Sequence, residues 1–376
     1  MKKLNLKENL ISFVFIIFML VFTILFIVVP KEEFSDKEKR YLAEFPTFSK
    51  ETLLDGSYTE DIEGYLADHT PLRSMFVGIN SYYSLLTGNN GANGIYLGSD
   101  GYLIEKPVDD LDRAKMNASR IAGFAKNLDI PVTFALAPSK GYVYNDKLPS
   151  NHLEYLDEEY YKSISQAMEG SVKFIDLSKM LVESKGEKLL YYKTDHHWTS
   201  YGAYLAYHQI CNSLGMVATP ESAFEKEYVE GFYGTSYAGS GYWLTNGDTI
   251  EIWHSKNLSE IIVEIDDGAG AQSYDSMFFS EQFASQDKYN GFLNGNHSVV
   301  KIKNTASEGG RLLVVKDSFA HCLVPFLAEN YSEIVMVDLR YYRRALTDLI
   351  TENKIDEVLF MYSIDNFAES TDIVLR

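Results

Sequence analysis

Cysteine is scarce in this sequence, because its 376 residues include only Cys211 and Cys322. Exported chains that depend on a disulfide framework carry cysteine at a much higher density, so that class of scaffold is excluded. Metal binding by a cluster of thiolates is excluded for the same reason. Each cysteine lies in an apolar stretch of helical character, which favours two buried free thiols. The alternative of a single bridge between them stays open.

Basic runs are also lacking beyond the first nine residues. The chain has 34 Lys and Arg against 53 Asp and Glu, which gives a formal net charge of −19 at pH 7. A body this acidic repels phosphate backbones, so nucleic acid is excluded as a partner and a phosphate-binding role is disfavoured. The sequence shows no internal repeats, while a hydrophobic content of 46% provides for a sizeable core.

Long hydrophobic runs are absent except at the N-terminus. Residues 10–29 are twenty residues whose only polar members are Ser12 and Thr23. At about 1.5 Å per residue, such a helix spans roughly the 30 Å hydrocarbon layer of a membrane. The run exceeds that of a cleaved signal peptide, and no Ala-x-Ala cleavage pattern follows it. We therefore predict an uncleaved, single-pass transmembrane anchor within residues 1–30.

The charges beside this run predict its orientation. Lys2, Lys3 and Lys7 precede it, and acidic residues follow it. By the positive-inside rule, the N-terminus then lies in the cytoplasm. Residues 31–376 are accordingly predicted to form one extracellular domain, held at the cell membrane by the anchor.

Beyond residue 110, short apolar strands alternate with helices. The strands are expected at 132–137, 172–177, 312–315, 334–337 and 358–361, and the helices at 111–127, 158–168, 199–214, 319–330 and 343–352. This alternation predicts an α/β fold, with a parallel sheet covered on both faces. Residues 224–305 differ, because a glycine- and aromatic-rich loop is followed there by strands of antiparallel type. We interpret them as a partly β insertion or lid.

Residues 194–199 read Thr-Asp-His-His-Trp-Thr and contain the residue types of a catalytic acid and base. If the backbone is extended there, Asp195 and His197 point to the same side because they lie two positions apart. Asp195 would then hold the imidazole of His197 in one tautomer, as in a hydrolase triad. His196 would point away from Asp195 and act as a structural neighbour.

A nucleophile for this pair is found 121 residues later. Residues 312–315 predict a buried strand that is followed by Lys-Asp-Ser and then by a helix. This order places Ser318 at the carboxyl edge of the sheet, where open α/β folds bind ligands. The first amides of the helix could stabilise an oxyanion formed by attack of Ser318 on an ester. The alternative is that Asp317 or Ser318 only caps the helix.

Two alternatives apply to the histidine run. A histidine beside Trp198 could be a satisfied core residue. Asp195, His196 and His197 could also bind a metal, but ligands at this tight spacing chelate awkwardly and no further helical His cluster is present. We therefore expect no metal.

The run Asp195-His196-His197-Trp198 resembles that of the bacterial DHHW proteins. These are similar to the acetyltransferase domains of alginate O-acetylation, within the broad SGNH (GDSL) esterase class. The resemblance covers about residues 31–376. Its further blocks are Asp68-His69 with Pro71 and Arg73, then Pro138-Ser139-Lys140, Lys316-Asp317-Ser318-Phe319, Val324-Pro325-Phe326-Leu327 and Asp338-Leu339-Arg340-Tyr341-Tyr342.

The resemblance implies a triad with Ser318 as nucleophile, His197 as general base and acid, and Asp195 as its orienter. It implies a three-layer, flavodoxin-like domain of the SGNH hydrolase type that needs no cofactor. A membrane-embedded partner would supply the acyl donor. The sequence departs from the Gly-Asp-Ser pattern at Lys316, which could crowd the oxyanion pocket. The glycine and asparagine that complete the oxyanion site in this class are not found by sequence.

Three further residues follow predicted strands at the same sheet edge. Arg340 could bind a sugar hydroxyl or carboxylate through a forked contact, and Tyr341 could stack on a sugar. Lys140 has a comparable position. Alternatively, Arg340 pairs with Asp338 and the tyrosine packs against its surroundings.

Together these observations predict a serine O-acetyltransferase or esterase that acts on a cell-surface glycan through an acyl-serine intermediate. The alternative is a catalytically silent envelope protein that binds glycan or an assembly partner, and Lys316 is the feature that supports it.

Overall fold

The computed structural model describes residues 10–186, 188–258, 260–268 and 270–375. The chain divides into two compact units. Unit 1 contains the residues up to Gly88 together with Gly241–Trp243, and unit 2 contains Asn89–Ser240 and the residues from Leu244 onward. The single domain expected over residues 31–376 stays a prediction.

Unit 1 begins with an apolar helix. Its elements are α1 (Leu10–Val28), β1 (Phe34–Ser35), β2 (Arg40–Tyr41), α2 (Lys50–Asp55), α3 (Ser57–Asp68) and α4 (Arg73–Leu86). The 19 residues of α1 are long and apolar enough to cross a membrane, and none of them is buried. Lys2, Lys3 and Lys7 lie outside the described residues, so the predicted orientation is not tested.

Ion pairs join the polar part of unit 1. Arg40 donates to Asp68, with 2.8 Å between Nη1 and Oδ2, and Arg73 donates to Glu38, with 2.8 Å between Nε and Oε1. The hydrogen bond from Arg40 lowers the pKa of Asp68 to about 2 despite partial burial. Asp68 therefore stays ionised and ties β2 to the end of α3.

Unit 2 contains the remaining elements. Its strands are β3 (Gly91–Ala92), β4 (Ile95–Leu97), β5 (Leu103–Glu105), β6 (Val132–Ala137), β7 (Lys173–Asp176), β8 (Phe224–Phe232), β9 (Asp248–Ser255), β10 (Ile261–Asp266), β11 (Gln272–Tyr274), β12 (Val299–Asn304), β13 (Arg311–Lys316), β14 (Glu333–Val337) and β15 (Glu357–Ser363). Its helices are α5 (Leu111–Ala125), α6 (Lys140–Val143), α7 (Asp157–Met168), α8 (Ser178–Glu183), α9 (Ser200–Leu214), α10 (Thr235–Ser240), α11 (Ser280–Phe283), α12 (Ala320–Leu327), α13 (Leu346–Asn353) and α14 (Ile364–Glu369).

The main sheet of unit 2 is mixed. Its eight strands lie in the order β11-β10-β12-β14-β13-β15-β6-β7. The last five of these are mutually parallel, as predicted, whereas β10, β11 and β12 extend the sheet with antiparallel pairing. The expectation of a wholly parallel sheet is therefore wrong. In β10, buried residues alternate with more exposed ones, a pattern typical of antiparallel strands with one wet face.

Residues 224–305 therefore do not form one separate insertion. Its first part forms a separate antiparallel pair, β8 with β9. Its second part supplies the three antiparallel strands of the main sheet. This integration was not visible from sequence, because pairing with β14 is a tertiary contact that local patterns do not encode.

Both faces of the sheet carry a hydrophobic core. Along β13, Leu312 and Val314 enter one core, while Leu313 and Val315 enter the other. The first core includes side chains of α9 and α12, and the second includes those of α5, α7, α13 and α14. Cys211 and Cys322 both belong to the first core and are free thiols, which confirms the reading favoured from sequence.

The parallel strands fix the position of the site. Because β14, β13, β15 and β6 run in the same direction, their carboxyl ends lie at one edge of the sheet. Polar residues lie at or just beyond the ends of these strands, namely Asp338, Asp317 with Ser318, Ser363 and Ser139. Side chains that are far apart in sequence thus meet at one edge.

Candidate active site

Asp317 fixes the turn that carries the candidate nucleophile. Its Oδ1 accepts the backbone N–H of Phe319 at 2.9 Å. Its Oδ2 accepts the backbone N–H of Ser363 at 2.8 Å, the Ser363 hydroxyl at 2.9 Å and the Asn366 amide at 2.9 Å. This buried carboxylate therefore ties the end of β13 to the end of β15 and holds Ser318 between them.

Ser318 is not a helix cap. The N-cap of α12 is Phe319, without a capping side chain, and the Ser318 hydroxyl instead lies 2.6 Å from Nε2 of His197. Ser318 is partly exposed. The backbone N–H of Ser318 donates to no acceptor within the described residues, which leaves it available to stabilise an oxyanion.

The three predicted catalytic side chains come together. Nδ1 of His197 lies 2.5 Å from Oδ1 of Asp195, while Nε2 faces Ser318 from the other side of the ring. Asp195 and His197 are 1% and 5% exposed, so their hydrogen bond is shielded from water. The geometry is that of an acid, a base and a nucleophile in series. We call Asp195, His197 and Ser318 the triad.

The route by which Asp195 meets His197 differs from the expected one. Residues 192–197 form a tight loop, closed by the N–H of Tyr192 on the carbonyl of His197 at 3.1 Å. Within it, the N–H of His197 donates to Oδ1 of Asp195 at 2.9 Å. A side-chain turn, not extended backbone, thus brings the two residues together.

A residue missed from sequence holds the other oxygen of Asp195. Thr235, at the start of α10, donates its N–H and its hydroxyl to Oδ2 at 2.8 and 3.1 Å. Gly234 permits this approach, since a Cβ there would overlap the side chain of Asp195. The glycine-rich composition of residues 231–241 was the available signal, but it does not identify the partner. This glycine- and aromatic-rich segment thus contacts the triad acid.

His196 does not point away from Asp195. Its Nδ1 lies 2.6 Å from the Thr235 hydroxyl and 3.9 Å from Oδ1 of Asp195. Burial would raise the pKa of Asp195, but attraction to His197 and His196 and the hydrogen bonds hold it well below its usual range. Burial, then the neighbouring His197, lower the pKa of His196. Asp195 therefore stays ionised.

Aromatic rings enclose the imidazole of His197. The ring of Tyr289 stacks on it with centroids 3.9 Å apart and an angle of 12°. The Tyr289 hydroxyl donates to the carbonyl of Ser318 at 3.2 Å, and Nε1 of Trp198 donates to the carbonyl of Phe319 at 3.0 Å. These contacts fix the ring and the serine turn together. Tyr289 lies in the 224–305 segment and was also missed from sequence.

Lys316 takes part in a buried polar network. Its Nζ lies 2.7 Å from Nε2 of His321, 3.1 Å from Oδ2 of Asp338 and 3.3 Å from Oδ1 of Asn296. Arg340 completes the set, which we call the lysine network. Burial lowers the pKa of Lys316, and burial with the Lys316 charge holds the pKa of His321 well below its usual range. His321 is therefore neutral and accepts from the ammonium.

The predicted substrate-binding residues have different surroundings. Arg340 donates to Asp338 at 2.9 Å (Nε to Oδ1) and 2.6 Å (Nη2 to Oδ2), which is the alternative stated above. Tyr341 is 52% exposed and lines, with Arg340, a cleft of about 940 Å³. Lys140 is 3% exposed, and its ammonium donates to three backbone carbonyls. The predicted contact of Lys140 with substrate is wrong, because no donor remains.

The metal alternative meets an obstacle in the same geometry. Asp195, His196 and His197 offer donor atoms within 4.8 Å of one another, and they are the one such group of three in the described part of the chain. Most of these atoms already have protein partners. Oδ1 of Asp195 binds Nδ1 of His197, Nε2 of His197 binds Ser318, and Nδ1 of His196 binds Thr235.

Comparison with known proteins agrees with the resemblance drawn from sequence. The DHHW protein family model matches residues 163–337, a segment that contains the whole triad. A probable alginate O-acetylase AlgJ of Pseudomonas syringae pv. tomato is 23% identical over 209 residues, or 53% of this chain and 54% of that protein. The chain thus spans about half the length of the curated relatives it matches.

Two solved structures share the fold. A DHHW family protein from Eubacterium siraeum has a TM-score of 0.64 at 24% identity, over 75% of this chain and 94% of that one. PatB1 of Bacillus cereus has a TM-score of 0.64 at 23% identity, over 74% and 98%. At such identities the likeness is one of fold alone.

Proposed function

We propose that this chain is a serine O-acyltransferase or esterase of the DHHW family that acts on a cell-surface glycan. One observation carries the proposal. The two nitrogens of His197 bind the Asp195 carboxylate at 2.5 Å and the Ser318 hydroxyl at 2.6 Å, and Ser318 is partly exposed. A stability role alone would not require a partly exposed hydroxyl at the end of a buried acid–base pair.

The first half-reaction forms an acyl-serine. Nε2 of His197 takes the Ser318 proton while Oγ attacks the carbonyl carbon of the acyl donor, and the carbonyl electrons move to its oxygen. The free N–H of Ser318 donates to that oxyanion. When the oxyanion collapses, the donor's alkoxide leaves and takes the proton from His197. The ionised Asp195 stabilises the imidazolium during both transfers.

The second half-reaction releases the acyl group. His197 removes the proton of an acceptor hydroxyl, which attacks the acyl-serine, and the proton returns to Oγ of Ser318. A glycan hydroxyl as acceptor gives transfer, and water gives hydrolysis. The AlgJ relatives bear the name alginate O-acetylase, which supports a glycan as acceptor. No step needs a cofactor.

The setting follows from the sequence predictions. The length and apolar character of α1 support a single-pass anchor. The lysines before it and the acidic residues after it favour an N-terminus in the cytoplasm and an extracellular unit 2. A membrane-embedded partner would then bring the acyl donor to Ser318. Helices on both faces of the parallel strands support a three-layer, flavodoxin-like domain of the SGNH type.

The silent-protein alternative depended on Lys316. Its ammonium is engaged by Asp338 and His321, so crowding of an oxyanion by this side chain has no support from the contacts. We therefore retain the enzyme as the proposal.

The deciding experiment detects the acyl-serine. The full 376-residue chain in detergent is mixed with 4-nitrophenyl acetate, quenched in acid, digested and analysed by mass spectrometry. We expect a 4-nitrophenolate burst and an acetyl group on the peptide that contains Ser318. Ser318→Ala should lose both, whereas Ser119→Ala, an exposed serine on α5, should keep both. If the Ser318 peptide stays unmodified while the chain hydrolyses 4-nitrophenyl acetate, the proposal is wrong.

A further inference from the structure

Lys140 is a buried cation whose partners include no carboxylate. It begins α6, just beyond the end of β6. Its ammonium donates to the carbonyls of Leu103 at 2.5 Å, Asp195 at 2.9 Å and Lys193 at 3.0 Å. Two of these three carbonyls flank Thr194 in the loop that carries the triad acid. Lys140 therefore binds the backbone of that loop from inside the protein.

Burying an ammonium among carbonyl groups is unfavourable compared with burying an apolar side chain of the same length. Burial lowers the pKa of Lys140, as expected for a cation removed from water. A methionine would fill a similar volume without this cost, but it could not bind three carbonyl oxygens. An ammonium can donate all three of these hydrogen bonds. This explains why a charged side chain lies where packing alone would favour an apolar one.

Asp248 binds the same loop through the opposite backbone groups. Its Oδ1 accepts the N–H of Lys193 at 2.9 Å, and its Oδ2 accepts the N–H of Thr194 at 2.7 Å. The Thr194 hydroxyl also donates to Oδ2, at 2.6 Å. Asp248 is 6% exposed and is the first residue of β9. The cation thus holds the carbonyls of Lys193 and Asp195, and the anion holds the N–H groups of Lys193 and Thr194.

We propose that Lys140 and Asp248 are positioning residues of the active site, which fix the backbone of residues 193–195 and thereby place the Asp195 carboxylate against His197. The inference rests on the proposed function, because it assigns a role within the same triad. Neither side chain contacts Ser318 or the imidazole. Both act only through the place where they hold Asp195.

The short contact between Asp195 and His197 makes this placement critical. The carboxylate oxygen is 2.5 Å from Nδ1, and the loop has no regular secondary structure of its own to hold it. A displacement of about 1 Å would break that bond, and misplacement on this scale costs roughly 10²-fold in rate. Loss of an orienting partner behind a catalytic group has a similar effect, roughly 10- to 100-fold.

The test compares Lys140→Met with Lys162→Met, the same substitution at an exposed site on α7. Steady-state hydrolysis of 4-nitrophenyl acetate by the full chain gives kcat and KM, and circular dichroism reports folding. For Lys140→Met we expect kcat to fall about 10- to 100-fold with KM nearly unchanged. Lys162→Met should match the unsubstituted chain. Should Lys140→Met fail to fold, Asp248→Asn tests the same loop from the other side, with the same expected split between kcat and KM.

A second experiment distinguishes a positioning role of Lys140 from a general loss of structure. Lys140→Met is repeated in an Asp195→Ala background, where the group to be placed is already absent. If Lys140 acts only through Asp195, the second substitution should change kcat less than about threefold. A general structural role would lower kcat by the same factor in both backgrounds.

The outcomes distinguish the two proposals. An equal kcat for the Lys140→Met and Lys162→Met chains, or equal losses in both backgrounds, would overturn the positioning role while the acyl-serine still forms. Absence of an acyl-serine in the unsubstituted chain would instead remove the proposed function itself.

Discussion

The triad and the lysine network lie side by side at one edge of the same sheet, and Lys316 is only two positions from Ser318. In the triad, hydrogen bonds run in series from a buried carboxylate to a partly exposed hydroxyl. In the lysine network, two cations share the single carboxylate of Asp338, and the buried Lys316 ammonium is bound by three protein groups. A polar cluster can do chemistry when it ends in a nucleophile beside a base, whereas cations that share a buried carboxylate contribute stability.

The largest expected effect tests the first half of this contrast. If the triad acts as a unit, Ser318→Ala and His197→Ala should each lower kcat for 4-nitrophenyl acetate by about 10⁴-fold or more. The double variant should be no slower than Ser318→Ala, because His197 has no task without the nucleophile. Steady-state kinetics of the three chains check this. Multiplying losses would show that the two residues act independently and would break the contrast.

The next largest expected effect tests the stabilising role of the lysine network. Lys316→Met removes one partner of a buried ion pair and leaves His321 without its donor. We expect a loss of about 3–5 kcal/mol in the free energy of unfolding, measured by urea denaturation. At temperatures where the variant is folded, kcat should stay within about threefold of the original value.

Lys354→Met, a cation on the exposed end of α13, serves as the matched control and should change neither quantity. A Lys316→Met chain that keeps its stability but loses activity would place Lys316 in the chemistry and remove the distinction between the two clusters.

The sequence predicted the elements of unit 2 better than their assembly. The strands expected at 132–137, 312–315 and 358–361 are present as β6, β13 and β15, because continuous apolar runs bounded by turn residues favour buried strands. The antiparallel strands β10 and β12 were assigned to an insertion, since a strand's neighbours are decided by packing between distant segments. Local pattern thus indicates the kind of element, and only the fold decides its place.

The same limit applies to the site. Asp195, His197 and Ser318 were found because acid, base and nucleophile are recognisable by type. Thr235 and Tyr289 were missed, since a threonine and a tyrosine within residues 224–305 have no signal until the chain brings them to the triad. Lys140 was selected from the sequence for a different role. Its position at a sheet edge suggested contact with a substrate, and its burial cannot be read from the sequence.

A smaller effect sharpens the account of the triad. Thr235→Val removes the hydroxyl that donates to Oδ2 of Asp195 but keeps the side-chain shape and the backbone N–H. We expect kcat to fall about 10-fold with KM unchanged, since one of two supports of that oxygen remains. Thr249→Val, on the exposed face of β9, is the control. An unchanged rate would mean that the backbone of the Asp195 loop suffices to hold its carboxylate.

The smallest expected effect concerns a third polar cluster at this edge of the sheet, in which two carboxyl groups share too few hydrogen-bond donors. The single hydroxyl of Ser139 lies 3.1 Å from both Asp157 and Asp365 and can donate to only one of them. Burial raises the pKa of Asp157 to about 6, and burial with the charges of Asp157 and Glu105 raises that of Asp365 to about 8. The folded chain therefore binds more protons than the unfolded chain between about pH 4 and pH 8.

Stability from this cluster is present at low pH and lost as the pH rises through the folded-state values. Between pH 5 and pH 8.5 we expect this contribution to be lost and the Tm to fall. Asp365→Asn should flatten this slope, because an amide supplies the missing donor at every pH, whereas Asp129→Asn, at an exposed acid, should leave it unchanged. Scanning calorimetry at both pH values measures the slopes. Equal slopes in all three chains would mean that solvent supplies the donor, and that a shortage of protein donors at this edge does not govern stability.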